Sequence, residues 1–126
     1  MRTQRTPPAR ILIVEDEWIL AEDLEVSLRE VGFDIAGPVP SVKAALHILE
    51  TEAVDAAILD ITLNNETSFP IAAALVERRV PFLFVTGHAE AFLPTEMKDK
   101  ILLSKPLDID VLGENLETLL ETEGGD

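Results

Sequence analysis

The chain has 126 residues, 47% of them hydrophobic and 27% charged, the length and balance of one soluble globular domain rather than a disordered tail. Its 24 acidic residues against 10 basic ones leave a net charge of −14, a field that repels phosphate backbones and anionic lipid, so no nucleic-acid or membrane binding is expected. Cysteine is absent, which excludes a disulfide framework, a thiolate metal site and a cysteine nucleophile, and fits a cytoplasmic location.

Residues 1–8 contain Arg2 and Arg5 but no apolar stretch of a secretory signal, and read as a flexible N-terminal tail ended by Pro7 and Pro8. Residues 11–14, Ile-Leu-Ile-Val, are continuously apolar, as a strand buried on both faces requires. Leu20, Leu24, Leu28 and Val31 then follow helical spacing, and Gly32 is placed to terminate that helix. Residues 34–39 form a weaker strand candidate. Ser41 is placed to cap a second helix carrying Ala44, Ala45, Ile48 and Leu49. A third buried run occupies residues 56–59. Phe69-Pro70 opens a third helix with Ile71, Ala74 and Leu75, which Arg78-Arg79 closes with a basic last turn.

A fourth apolar run occupies residues 82–85. In residues 88–100, Pro94 interrupts any helix and the apolar residues Phe92, Leu93 and Met97 are sparse, so a fourth helix there should be short or mobile. A fifth run, residues 101–103, precedes Asp108, Asp110 and a last helix marked by Leu112, Leu116, Leu119 and Leu120. Residues 9–121 are thus expected to be one domain, with 122–126 a frayed C-terminus. Strands alternating with helices are the signature of a doubly wound α/β fold, with helices on both faces of a parallel sheet. Trp18 and His47 have ordinary readings: Trp18 as a core-facing or half-exposed packing residue, His47 as a surface residue.

In such sheets the ligand site lies outside the carboxyl ends of the strands. Here the first strand ends in Glu15-Asp16, the third in Asp60, the fourth in Thr86-Gly87 and the fifth in Ser104-Lys105-Pro106. Any one of these residues could simply mark where the chain meets water. Together they put three carboxylates, a hydroxyl and an ammonium on one edge. Crowded carboxylates repel one another unless a cation sits among them, and hard oxygen donors with room for water suit Mg2+. A lysine beside a metal needs an anion between them, and a phosphoryl group supplies it. An aspartate ionised at neutral pH attacks phosphorus without a general base, which makes Asp60 the candidate nucleophile.

Glu15-Asp16, Asp60, Thr86 and Lys105-Pro106, taken in order and spacing over residues 9–121, resemble the receiver domain of two-component response regulators. The resemblance implies a doubly wound five-stranded parallel sheet with strand order 2-1-3-4-5. It implies that Asp60 is the phosphoacceptor, served by a sensor histidine kinase or a histidine phosphotransfer protein. It further implies that Asp16, Asp60, Glu15 and the backbone carbonyl of Thr62 hold Mg2+, and that Thr86 and Lys105 contact the phosphoryl group. Thr62 and His88 match positions that tune dephosphorylation. The Lys-Pro peptide is commonly cis in this family.

Phe84-Val85-Thr86-Gly87-His88 is similar to the motif of the FATGUY group of single-domain receivers, with Val and His at two of its positions. Leu102 stands where many receivers carry the aromatic of a Thr–aromatic switch. No output domain follows the last helix, so the expected role is a stand-alone phosphoacceptor rather than a turnover enzyme. It would signal by docking, as relay, phosphate sink or regulator of a protein target that binds the phosphorylated form. Two alternatives use similar residues. A haloacid-dehalogenase-type phosphatase wants a second Asp where this chain has Asp60-Ile61-Thr62, and a pseudo-receiver would dock constitutively without needing the intact residue set.

Overall fold

A computed structural model of the chain describes residues 7–87 and 93–123. Five parallel strands form the main sheet: β1 (Arg10–Val14), β2 (Asp34–Val39), β3 (Ala56–Asp60), β4 (Phe82–Thr86) and β5 (Leu102–Ser104). Four helices connect and flank them: α1 (Trp18–Glu30), α2 (Val42–Thr51), α3 (Phe69–Arg78) and α4 (Ile109–Glu123). The strand order is β2-β1-β3-β4-β5, the expected 2-1-3-4-5. No helix among the described residues is long and apolar enough to cross a membrane.

Alternation along the buried strands divides the core in two, because successive side chains point to opposite faces of a sheet. Leu12, Val14, Leu59 and Phe84 pack on one face with Ala45 and Leu49 of α2 and Ile71 and Leu75 of α3. Ile11, Ile13, Ile58, Leu83 and Val85 pack on the other with Leu28 of α1 and Leu112, Leu116 and Leu120 of α4. The helix ends follow the expected chemistry. Ser41 Oγ accepts the Ala44 N–H at 3.2 Å, and Asp108 Oδ1 accepts the Asp110 N–H at 2.8 Å and the Val111 N–H at 3.3 Å, satisfying donors that a first helical turn leaves free. In residues 93–100, Thr95–Met97 form a single 3-10 turn, with Leu93 and Met97 buried against the α2–α3 side of the core. That agrees with a short fourth helical element. Residues 88–92 lie outside the described residues.

Three features depart from the sequence reading. β5 is not buried on both faces; Leu102 is exposed, because β5 is the edge strand and α4 covers only one side of it. Trp18 is neither core-facing nor half-exposed but 72% exposed. It is the first residue of α1 and lies beyond the carboxyl end of β1, so the sheet does not reach under it; Ala21 and Leu28 carry the helix's buried contacts. Third, two further short strands, Thr62–Leu63 and Glu66–Thr67, form an antiparallel hairpin just after β3.

β2 also carries a bulge. Leu12 pairs with Ala36 but Val14 with Val39, so one extra residue is accommodated on β2. Gly37 absorbs it with φ of 85°, and a Cβ there would stand 2.9 Å from the Val39 nitrogen and 3.2 Å from the Ile13 carbonyl oxygen. Those neighbours are backbone and cannot swing away. Gly37→Ala is therefore expected to cost about 1–3 kcal/mol, read as a lower urea midpoint with an unchanged slope.

Candidate phosphoacceptor site

Parallel pairing brings the strand ends level. β1 Val14 pairs with β3 Leu59, β3 Asp60 with β4 Val85, and β4 Thr86 with β5 Ser104, so the residues that follow or end each strand meet at one edge. The Lys105 N–H donates to the Thr86 carbonyl at 2.8 Å, which fixes the strand that delivers the lysine, and the Lys105–Pro106 peptide is cis. Asp60 is only 7% exposed, and Glu15 and Thr86 are buried beside it, whereas Asp16 is half-buried toward solvent.

The side chains converge. Lys105 Nζ lies 2.8 Å from Asp60 Oδ2 and 2.8 Å from Glu15 Oε1, bridging the two buried carboxylates. The second oxygen of Glu15 accepts the Glu17 N–H at 3.0 Å, and Asp60 Oδ1 faces the Thr62 N–H at 3.4 Å. Carboxylate oxygens of Glu15, Asp16 and Asp60 all lie within 4.8 Å of one another. The set fits a hard divalent cation: three oxygen donors on one side and an open, half-exposed Asp16 through which waters can complete the shell. Thr62 follows Asp60 by two residues at the start of the hairpin, with its side chain exposed. Of the residues singled out from sequence, Glu15, Asp16, Asp60, Thr62 and Lys105 are linked by these distances, and Thr86 joins them through its backbone bond to Lys105. His88 lies outside the described residues.

Burial draws the Lys105 pKa down, but its hydrogen bonds to Asp60 and Glu15 and the charges of both carboxylates outweigh that, leaving it above the usual lysine value. A raised folded-state pKa stabilises fully below the unfolded value and is lost as pH climbs through the folded one. The ion pairs should thus contribute evenly from about pH 7 to about pH 9 and fade above about 10.4. Urea midpoints taken across that alkaline range should fall further for the wild type than for Lys105→Met.

A groove of about 460 Å³ opens next to the site. Leu20 and Leu24 of α1 form one wall, Pro106, Leu107 and Ile109 the other, and Glu15 and Lys105 lie at its inner end. Trp18, 72% exposed, does not line it but a separate cavity shared with Glu15, Asp16, Glu22 and Pro38.

Sequence reading missed the hairpin and one contact it makes: Glu66 Oε2 accepts the Val42 N–H at 3.0 Å, capping α2 from the loop that follows Asp60. A signal was present. Asn64-Asn65 is a two-residue turn dipeptide, and Asn65 takes the left-handed conformation with φ of 57° that asparagine tolerates.

Residues 11–117 match the family model of the response regulator receiver domain. The chain belongs to that receiver family. Relatives agree. The receiver is 28% identical over 109 residues to the transcriptional regulatory protein PdtaR of Mycobacterium tuberculosis, covering 83% of this chain and 53% of PdtaR. It is 30% identical over 118 residues to the TorCAD operon transcriptional regulatory protein TorR of Escherichia coli, covering 90% of this chain and 50% of TorR. The chain thus spans about half the length of these curated relatives. Among solved structures, SdrG from Sphingomonas melonis superposes with a TM-score of 0.79 at 38% identity, over 90% of this receiver and 97% of that chain.

Proposed function

We propose that this receiver accepts a phosphoryl group on Asp60 from the phosphohistidine of a sensor histidine kinase or a histidine phosphotransfer protein. An Asp60 carboxylate oxygen attacks phosphorus, the N–P bond to the donor imidazole breaks, and the imidazole leaves with the bond's electron pair, taking a proton from solvent. Glu15, Asp16, Asp60 and the Thr62 carbonyl would hold Mg2+, which supplies Lewis-acid neutralisation of phosphoryl charge. Lys105 exchanges its contact with Asp60 for a phosphoryl oxygen, and Thr86 donates to another. Lys105 already touches Asp60 and has little way to go, whereas Thr86 turns its hydroxyl inward to meet the phosphoryl group.

The observation that carries this reading is the bridging of Asp60 and Glu15 by Lys105 at 2.8 Å, inside a carboxylate trio with ligand spacing. A BeF3-activated conformation is known for SdrG, 38% identical to this chain, which supports an activation step of this kind here. Asp60 has Thr62 rather than a second Asp two residues on, which favours a phosphoacceptor over a phosphoester hydrolase. The receiver then signals by docking, as relay, phosphate sink or regulator of a protein target. Incubation with a small phosphodonor and Mg2+ followed by intact mass measurement tests it. One phosphoryl adduct is expected on the wild type and none on Asp60→Asn or in the presence of a chelator; an adduct of equal yield on Asp60→Asn would refute the assignment.

The groove beside α1 is the face on which the protein donor would seat, since it is apolar and its inner end reaches Lys105. Leu20, 40% exposed, offers the donor a hydrophobic contact in that groove, and a few such side chains carry most of the energy of an interface. Leu20→Ala should therefore slow transfer from a histidine-phosphorylated donor protein by about tenfold, while uptake from a small phosphodonor keeps its rate. A parallel loss with both donors would place the effect of Leu20 on the site itself rather than on docking.

A further inference from the structure

We propose that the opposite edge of the sheet carries a docking notch for an acidic segment of a partner protein, which seats one bulky apolar side chain between Arg79 and Lys100. The notch lies at the amino-terminal ends of β4 and β5, away from Asp60, and the proposal stands whether or not Asp60 is phosphorylated. The Phe84 N–H donates to the Ile101 carbonyl at 2.9 Å, and this pairing brings the segment entering β5 alongside the segment entering β4. Between them and α4 is a cavity of about 480 Å³. Val80, Phe82, Ile101 and Leu119 give it an apolar floor, and Arg79 and Lys100 stand at its rim.

Two observations bear on these cations. In a chain with 24 acidic residues against 10 basic, Arg10, Arg29 and Lys105 each meet carboxylates. Arg79 and Lys100, like Lys43 and Arg78, meet none at ion-pair distance among the described residues, but only Arg79 and Lys100 line this cavity. Lys100 Nζ instead stands 5.1 Å from the centroid of the Phe82 ring, a cation–π contact that holds the ammonium against the notch. Arg79 is the C-cap of α3 with φ of 60° and ψ of 37°, a left-handed position that glycine fills without strain. An arginine kept there supplies a guanidinium at a backbone cost. Asp99 is the single carboxylate among the described residues lining the cavity, so their summed charge is positive in a molecule of net charge −14.

Charge complementarity therefore selects an acidic occupant, and the apolar floor selects one that inserts a hydrophobic side chain. A nucleic acid would present its phosphates to the whole negative surface, whereas a short acidic segment meets only the local positive patch. Away from the notch the global field repels the same segment, so its binding at all is diagnostic.

The test is a titration of the isotopically labelled full chain with the peptide acetyl-Asp-Glu-Phe-Glu-Asp-amide, followed by amide NMR shifts. Saturable shifts are expected at Val80, Phe82, Ile101 and Leu119, at least about tenfold weaker in Arg79→Gly and in Lys100→Gln. Arg79→Gly relieves the left-handed strain, so its folding is preserved. Shifts confined to other residues, an equal response to the all-Lys counterpart peptide, or unchanged affinity in both variants would overturn the proposal. So would concentration-dependent shifts of these amides without peptide, which would make a second copy of the chain the occupant.

Discussion

Lys105→Met is expected to slow phosphoryl uptake from a small phosphodonor by about 10²–10³-fold, the usual effect of removing one preorganised charge-stabilising donor. It should also tighten Mg2+ binding. The two effects have one cause: the ammonium lies 2.8 Å from both Glu15 and Asp60, so it competes with a cation for the carboxylates before transfer and neutralises the phosphoryl oxygens during it. Removing a unit charge at that range from two ligands favours the divalent ion by about 1.4 kcal/mol or more, a tenfold gain. The chain's single tryptophan, Trp18, lines a shallow cavity with Glu15 and Asp16, so its fluorescence reports the titration. Mg2+ affinity and uptake falling together would instead mean that Lys105 holds the site's shape rather than its charge.

Phe84→Ala is expected to cost about 3–5 kcal/mol, out of the roughly 5–15 kcal/mol that stabilises a domain of this kind. Phe84 is fully buried at the centre of β4. Its ring meets Phe69 at 5.9 Å and Phe82 at 5.5 Å between centroids, both nearly perpendicular, so truncation loses two edge-to-face contacts and opens a cavity. Urea unfolding followed by far-UV circular dichroism measures it. Phe84→Leu should cost distinctly less because most of the volume remains, and equal costs would point to loss of ring geometry rather than to the cavity.

The parts of the fold legible in sequence were those with a one-dimensional signature. Continuous apolar runs at residues 11–14, 56–59 and 82–85 became strands buried on both faces, since in a parallel sheet each has helices above and below. The polar residues ending those strands were legible as a shared edge because parallel strands all point the same way. What stayed hidden depends on distance in three dimensions. Nothing in the spacing of Trp18 shows that the sheet stops short of it. Nothing in residues 101–103 shows that their strand is the sheet's edge. The bulge at Gly37 answers to the Val39 nitrogen and the Ile13 carbonyl, close approaches that exist only once β1 and β2 pair. The double ion pair of Lys105 likewise appears only when β5 is in register with β4.

The central claim is that Asp60 itself carries the phosphoryl group, and chemical mapping addresses it most directly. Borohydride reduces an aspartyl phosphate to homoserine, so the phosphorylated protein is reduced, digested and sequenced by mass spectrometry. Homoserine at position 60, absent when the phosphodonor is omitted, is the result expected. Homoserine at Glu15's neighbour Asp16, or phosphate retained on a serine, threonine or histidine with position 60 unmodified, would contradict the account.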